Sequence, residues 1–168
     1  MGEYDISAWY ALYTKPRHEK LVERELMKKG VDAFTPKLSL KKRWSDRSKI
    51  IEEPVFKSYC FARFCLQDKS QIVGQEGVVT VVHFNKRYIE IQDSVINSIK
   101  IMVENDLKID PYPYLKIGDP VLIKRGPLKG FEGCIIEKRS KNTSLVVSID
   151  AIASSVKCIV DTDFVELN

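Results

Sequence analysis

The sequence predicts an α+β protein of two small domains, the first with helices packed against an antiparallel sheet and the second a small β-barrel. Three observations predict this class. Strand-like and helical segments alternate through residues 6–106, residues 116–168 show no helical periodicity, and a proline-containing segment at 107–115 separates the two. With 168 residues, of which 44% are apolar and 30% charged, the chain can bury a core and keep a charged surface.

The first domain begins with a strand and an amphipathic helix. Residues 8–14 read AWYALYT, an aromatic and apolar run without a breaker, as expected for a buried strand. Over 17–29 the apolar residues Leu21, Val22 and Leu26 recur at helical spacing, and Gly30 follows where a helix C-cap belongs. The remaining predicted elements are a strand over 31–36, a basic hairpin or loop over 37–49, a strand over 54–64, a weak helix over 68–75, a strand over 78–84 that turns at 85–86 and returns over 88–91, and a helix from 93.

The second domain follows a segment that favours neither helix nor strand. Residues 110–113 read DPYP, and this composition makes 107–115 the best candidate for a linker. Beyond it the short runs VLIKR, CIIEKR, SLVVSI and VKCIV are separated by glycine or polar turns. Such runs predict a small β-barrel over 116–168.

Several classes of protein are excluded or disfavoured. The sequence holds no apolar run long enough to span a membrane and no signal-peptide pattern, so we expect a cytoplasmic protein. Its four cysteines lack the spacing of a zinc or redox site, and we expect them to be reduced and the protein to hold no metal or cofactor. Nucleophile elbows, phosphate-binding loops and metalloprotease motifs are also missing, which predicts that the protein is not an enzyme.

The basic segment is the first candidate binding feature. Residues 37–49 contain six basic residues and one acidic residue, with Trp44 among them, while the whole chain carries a net charge of only +4. Cations there could contact phosphates while an aromatic ring stacks on bases. A solvated charged loop is the alternative that the pattern leaves open.

Two aromatic features are further candidates. Alternation along 54–64 places apolar side chains on both faces of one strand, so one face serves the domain core and the other meets either helices of the same domain or a partner. In the second domain the turn GPLKGFEG combines glycines at Gly126, Gly130 and Gly133 with Phe131. Phe131 is either a plug inside the barrel or an exposed anchor.

These motifs together resemble the NusG family of transcription elongation factors. GPLKGFEG after a strand is similar to a KOW motif, and WYALYTKPRHEKLVERELMKKGVDAFTPK is similar to the opening of the family's N-terminal NGN domain. EEPVFKSYCFARF and GVVTVVHF resemble the next blocks in the same order, so the resemblance covers nearly all of residues 8–167. Within the family, KLSLKKR is similar to specialised paralogs of RfaH type and of the UpxY type associated with polysaccharide operons. The resemblance implies an NGN α/β sandwich followed by an SH3-like KOW β-barrel.

The resemblance also implies a function and a main partner. It implies a transcription elongation or antitermination factor that suppresses pausing or termination, acts on particular operons and docks on the clamp helices of RNA polymerase. The positions that match the family's apolar docking patch are Phe56, Tyr59, Phe61 and Phe84. The outer aromatic face thereby changes from a core surface to an expected partner surface.

Further partners follow from the same resemblance. Lys15 matches a basic position of RfaH-like members, and Lys41, Lys42 and Arg43 are expected to contact the exposed DNA strand or nascent RNA. The second domain would bind a ribosomal small-subunit protein or Rho through a surface matched by Gly126, Gly130, Phe131, Gly133 and Ile152. We expect a monomer whose second domain stands as a barrel and not as a helical hairpin. The alternative is a KOW-containing RNA-binding protein of ribosomal type without polymerase contact.

Overall fold

A computed structural model describes residues 6–43, 48–114, 121–123, 126–138 and 140–161. The tip of the basic segment, the end of the expected linker, residues 116–120 and residues 162–168 lie outside the described residues. Two short 3₁₀ turns, Leu66–Asp68 and Asp150–Ile152, accompany the regular elements. The helices are α1 (Glu19–Lys28), α2 (Lys69–Val73) and α3 (Asp93–Glu104), and the strands are β1 (Ala8–Thr14), β2 (Asp32–Phe34), β3 (Lys37–Arg43), β4 (Ser48–Pro54), β5 (Tyr59–Phe64), β6 (Val78–Val81), β7 (His83–Phe84), β8 (Arg87–Tyr88), β9 (Glu90–Ile91), β10 (Ile109–Tyr112), β11 (Val121–Leu122), β12 (Glu132–Lys138), β13 (Asn142–Ile149) and β14 (Ser154–Asp161).

The first sheet is antiparallel and has β1 near its centre. Its order is β2-β5-β1-β6, with β9 also paired to β1, so the alternating strands and helices of the sequence form one α+β domain as predicted. One face of the sheet packs on α1, where Val22 and Leu26 are fully buried against Leu12 and Cys60. Gly30 has φ +78° and ends this helix in the left-handed conformation that its position predicts.

The opposite face of the first sheet packs on α3. Ile96, Ile99 and Met102 of this helix belong to the same buried cluster as Trp9 and Phe61 of the sheet. The predicted helix beginning at 93 is thus confirmed, and its apolar face covers the side of the sheet that α1 leaves open.

Two small ribbons stand apart from the first sheet. β3 and β4 pair along their whole length, from Lys37 opposite Pro54 to Arg43 opposite Ser48. The second ribbon, β7 with β8, turns at Asn85 and Lys86, whose φ values of +48° and +62° suit a tight hairpin turn. Of the two possibilities that the sequence left for residues 37–49, a hairpin or a loop, the pairing of β3 with β4 favours the hairpin.

The second domain is an antiparallel sheet with the order β10-β14-β13-β12-β11. β10 pairs with β14 from Ile109 opposite Cys158 to Tyr112 opposite Ser155. Part of the expected linker at 107–115 is therefore a strand of the second sheet, because Pro111 can lie on an outer strand where its missing N–H is not needed for pairing. The remaining strands match the predicted all-β character, and no α-helix occurs among the described residues from 121 onward.

A single buried cluster joins the two domains. Besides Phe61 and α3, it contains Phe131, Leu145 and Val147 of the second sheet. A serine strengthens this contact: the Ser98 hydroxyl of α3 accepts the backbone N–H of Glu132 at 2.7 Å and lies 2.9 Å from the Glu132 carbonyl, to which it can donate. The second domain is thus held against α3 by both apolar packing and partly buried hydrogen bonds.

Two of the cysteines are core residues. Cys60 and Cys158 are completely buried, one in each sheet. Burial raises the pKa of each thiol to about 12, which keeps both protonated near neutral pH and makes them poor nucleophiles. Their role is therefore packing, in keeping with the reduced state expected from the sequence.

A substitution at Gly133 tests how closely the second domain is packed. A Cβ at this position would lie 2.7 Å from the Val146 carbonyl oxygen and 2.8 Å from the Phe131 ring, so backbone would have to move. We expect Gly133→Ala to lower the free energy of unfolding by about 2–3 kcal/mol, measured by urea denaturation. Gly30→Ala is the control, since its Cβ would meet nothing within 4 Å and only the left-handed backbone costs about 1 kcal/mol. An equal loss in the two variants would contradict the close approach at Gly133.

Candidate functional site

Two of the predicted patch residues, on β5 and just before it, are buried inside the protein. Phe56 and Phe61 are 6% and 0% exposed, and their rings meet edge to face with centroids 5.7 Å apart. The expectation that both lie on an outward-facing surface is wrong for this conformation. Phe61 sits opposite Ala11 and Phe34 in the sheet, on the face that α3 and the second domain cover.

Tyr59 lies at the accessible margin of the same face. Its side chain packs against the buried cluster but is only partly buried. It stands opposite Tyr13 of β1, which is 41% exposed, and the two ring centroids are 5.7 Å apart. A pair of tyrosines therefore marks the place where the covered aromatic face reaches solvent, and their phenol groups can serve both apolar and hydrogen-bonding contacts.

Tyr13 is a residue that the sequence reasoning missed. The run AWYALYT predicts a buried strand, but Tyr13 is the one exposed residue of β1. The signal was present in the alternation, because Tyr13 shares a face with Ala11 and Trp9. Only the register with β5 places it beside Tyr59.

Phe84 is placed apart from the other predicted aromatic residues. It is 70% exposed, on the β7–β8 ribbon, directly opposite Arg87. Its ring makes no contact with another aromatic ring of the described residues. The four predicted patch residues thus divide into a buried pair, a marginal tyrosine and an exposed phenylalanine on a separate hairpin.

The second domain supplies the cover of the aromatic face. The turn Asp150–Ile152 packs against β1 and β9, and Ile152 is a partly buried member of the joint cluster. On α3, the Asn97 side-chain amide donates to the Gly130 carbonyl at 3.2 Å. Ile152 and Gly130, which were expected to meet a separate partner, therefore contact the first domain here.

The glycine-rich turn is organised around a buried ring. Phe131 is completely buried, which decides between the two roles that the sequence left open in favour of the plug. Gly126 and Gly130 have φ values of +78° and +89°, and Gly133 allows the close approach of the Val146 carbonyl. These residues shape the second sheet around Phe131.

The predicted basic residues lie at the end of β1 and on β3. Lys15 follows β1 and is exposed, and its backbone N–H donates to the Gly77 carbonyl at 2.8 Å. Lys41, Lys42 and Arg43 are consecutive positions of β3 near the free end of the β3–β4 ribbon. The chain after β1 and the base of this ribbon line one cleft, with Arg17 on one side and Glu52 on the other.

The structure adds little that favours catalysis. Among the described residues, no group of three or more histidine, cysteine, aspartate or glutamate side chains is arranged to hold a metal ion. None of the described helices has the length and apolar character required to cross a membrane. The two histidines are far apart in sequence, and the Nδ1 atoms of His18 and His83 each lie 3.0 Å from a backbone carbonyl two residues earlier.

A family model and a curated relative place the sequence among known proteins. The model of the family described as "Transcription termination factor nusG" matches residues 7–100. The chain is 24% identical over 180 residues to the "Transcription termination/antitermination protein NusG" of Borreliella burgdorferi, with 95% of this chain and 97% of that protein covered. It also matches the solved structure described as "Domain interaction in Thermotoga maritima NusG", with 17% identity, 93% of each chain covered and a TM-score of 0.43. Because the family model spans more than half of the chain, this protein belongs to the NusG family of transcription factors.

Proposed function

We propose that this protein is a non-enzymatic elongation and antitermination factor of the cytoplasm that binds RNA polymerase and suppresses pausing or termination on particular operons. The observation that carries the proposal is the Tyr13–Tyr59 pair at the accessible end of a continuous aromatic face. Aromatic residues at the margin of an apolar surface are typical anchors of protein interfaces. The clamp helices of the polymerase would pack on this margin.

Full engagement requires the second domain to move. Phe56 and Phe61 can reach a partner only if the cover on their face opens, because Phe61 has no exposed surface in this conformation. The cover is held by a modest set of contacts that includes the Ser98 hydroxyl and the Asn97 amide. Polymerase would therefore compete with the second domain for the aromatic face.

Opening would also release the expected surface of the second domain. Ile152 and Gly130 contact the first domain here, so a ribosomal small-subunit protein or Rho would meet them only after separation. Gly126, Phe131 and Gly133 support that surface by shaping the turn. A tethered second domain then raises the local concentration of its partner near the polymerase.

Nucleic acid would be a secondary contact. Lys15 and the ribbon positions Lys41, Lys42 and Arg43 offer cations for phosphates, while most of the affinity comes from the polymerase. Phe84, exposed beside Arg87, remains a proposed rim contact of the polymerase surface.

The tyrosine pair is tested by substitution. We expect Tyr59→Ala combined with Tyr13→Ala to reduce co-purification of RNA polymerase at least tenfold, because two interface aromatics are lost while the core stays intact. Met27→Ala, which removes an exposed side chain on α1, is the control and should leave binding unchanged. Undiminished polymerase binding by a folded double variant would refute the docking surface and favour the RNA-binding alternative.

The cover is tested at Ser98. Ser98→Ala leaves the partly buried Glu132 N–H without its acceptor, so the closed arrangement weakens and polymerase affinity should rise roughly five- to tenfold. The affinity would be measured by titration of the full chain against polymerase. Ser94→Ala, one turn earlier on α3, is the matched control, since only its carbonyl contributes to the network. Unchanged or reduced affinity for Ser98→Ala would show that the second domain does not restrict access.

Operon specificity is tested on transcripts. Sequencing of nascent RNA with and without the protein should show read-through confined to a few long operons. The Tyr13→Ala/Tyr59→Ala double variant should abolish this change. A shift spread over the whole genome would instead indicate a general elongation factor.

A further inference from the structure

The turn that leads into β5 contains a serine in an unusual backbone conformation. Residues 56–59 form this turn, which is closed by the Tyr59 N–H donating to the Phe56 carbonyl at 3.3 Å. Its third residue, Ser58, has φ +64°. A β-turn with positive φ at its third residue favours glycine or asparagine, because the Cβ of other residues crowds the following carbonyl oxygen. The conformation of Ser58 therefore needs support from outside the turn.

A buried carboxylate provides that support. Glu19, the first residue of α1, is 4% exposed, and its Oε1 accepts the Ser58 N–H at 2.7 Å. Among the residues that the structure describes, this carboxylate accepts no other hydrogen bond and forms no ion pair. Because a buried acidic group is costly unless it is hydrogen-bonded, the Ser58 N–H and the Glu19 carboxylate stabilise each other.

The carbonyl of Ser58 is held as well. It accepts the Thr14 N–H of β1 at 2.9 Å. Tyr13 precedes Thr14 and Tyr59 follows Ser58, so this bond joins the chain segments that carry the two tyrosines. Their ring centroids lie 5.7 Å apart. The α1 helix and β1 therefore hold Ser58 from both sides, directly beside the tyrosine pair.

We propose that Glu19 is a positioning residue for the polymerase-binding surface, because its carboxylate holds Ser58 in the conformation that sets Tyr59 against Tyr13. The inference rests on the proposed function, from which it takes the partner. Since Glu19 is buried, it acts through the turn and not by contact with polymerase. Positioning of this kind raises affinity, because less conformational freedom is lost on binding.

A carboxylate in the first turn of a helix also stabilises the helix itself, so the test needs a matched control. Glu23 lies one turn later on α1 and, like Glu19, accepts a backbone N–H: its Oε1 lies 2.9 Å from the Thr35 nitrogen. Thr35 belongs to the segment between β2 and β3, outside the 56–59 turn. Loss of either carboxylate therefore leaves one backbone N–H without its acceptor, but only the loss of Glu19 changes the turn.

Amide hydrogen exchange of the full chain without polymerase tests the contact. Glu19→Ala should speed exchange of the Ser58 amide about tenfold or more and weaken the nuclear Overhauser effect between the Tyr13 and Tyr59 rings. Glu23→Ala should leave both quantities unchanged. Glu19→Gln keeps an acceptor oxygen and should preserve the protection of Ser58. A Ser58 amide that stays protected in Glu19→Ala would overturn the inference.

Titration against polymerase tests the consequence. Glu19→Ala should weaken binding about fivefold or more, and Glu19→Gln about twofold at most. Glu23→Ala should leave the affinity unchanged, although it too lowers the free energy of unfolding in urea. Equal weakening by the two alanine variants would indicate general destabilisation and overturn the inference.

A second variant keeps the test decisive if Glu19→Ala does not fold. Glu19→Asp keeps the carboxylate but shortens the side chain by one methylene, which withdraws the acceptor from the Ser58 N–H. It should give the same faster exchange and weaker binding. A folded aspartate variant with unchanged exchange and affinity would overturn the inference.

The Tyr13→Ala/Tyr59→Ala variant separates the inference from the proposed function. In this background Glu19→Ala should cause no further loss of affinity, because the rings that it positions are already absent. A further loss of about fivefold would mean that Glu19 acts by another route and would overturn the inference. If the double variant itself binds polymerase undiminished, the proposed docking surface fails, while exchange of the Ser58 amide still decides whether Glu19 positions the turn.

Discussion

The arrangement of the two domains depends on one buried apolar cluster between them. It begins with Trp9 and Phe61 on the first sheet, continues through α3 and ends at Phe131 and Leu145 in the second sheet. Apolar burial is non-directional, so this cluster alone would hold the domains together without fixing their arrangement. The Ser98 and Asn97 hydrogen bonds add that definition, because each joins α3 to a particular backbone group of the second domain.

Under the proposed function, this packing makes the second domain and RNA polymerase compete for the same apolar face. The apolar face of the first sheet completes the core where the second domain covers it. Under the proposed function, the same face would become a partner surface when the cover opens. A surface rich in aromatic residues would be costly to leave in water, so covering it protects the free protein from non-specific association. The tyrosine pair at the margin remains accessible. Under the proposed function, a partner would make its first contact there.

The excess positive charge is concentrated in a different part of the molecule. At its base the β3–β4 ribbon is held to α1 by two ion pairs, Lys37 with Glu23 and Glu52 with Lys20. Most of the basic residues of the segment 37–49 follow further along the sequence. The small net charge of +4 thus hides a sharply localised distribution. Affinity from apolar contact and orientation from local charge can act together without making the whole protein a polycation.

The sequence by itself determined the order of the elements and the family. The 8–14 strand, the helix before Gly30 and the helix from 93 follow from periodicity and capping, which are local properties. The collinear motifs of the sequence are sufficient to indicate the NusG family. Local patterns could not show that Phe56 and Phe61 are covered, that residues 109–112 pair with β14, or that Tyr13 lies beside Tyr59. Each of these depends on contacts between residues distant in the chain, and burial of an aromatic side chain is decided by what packs over it and not by its neighbours in sequence.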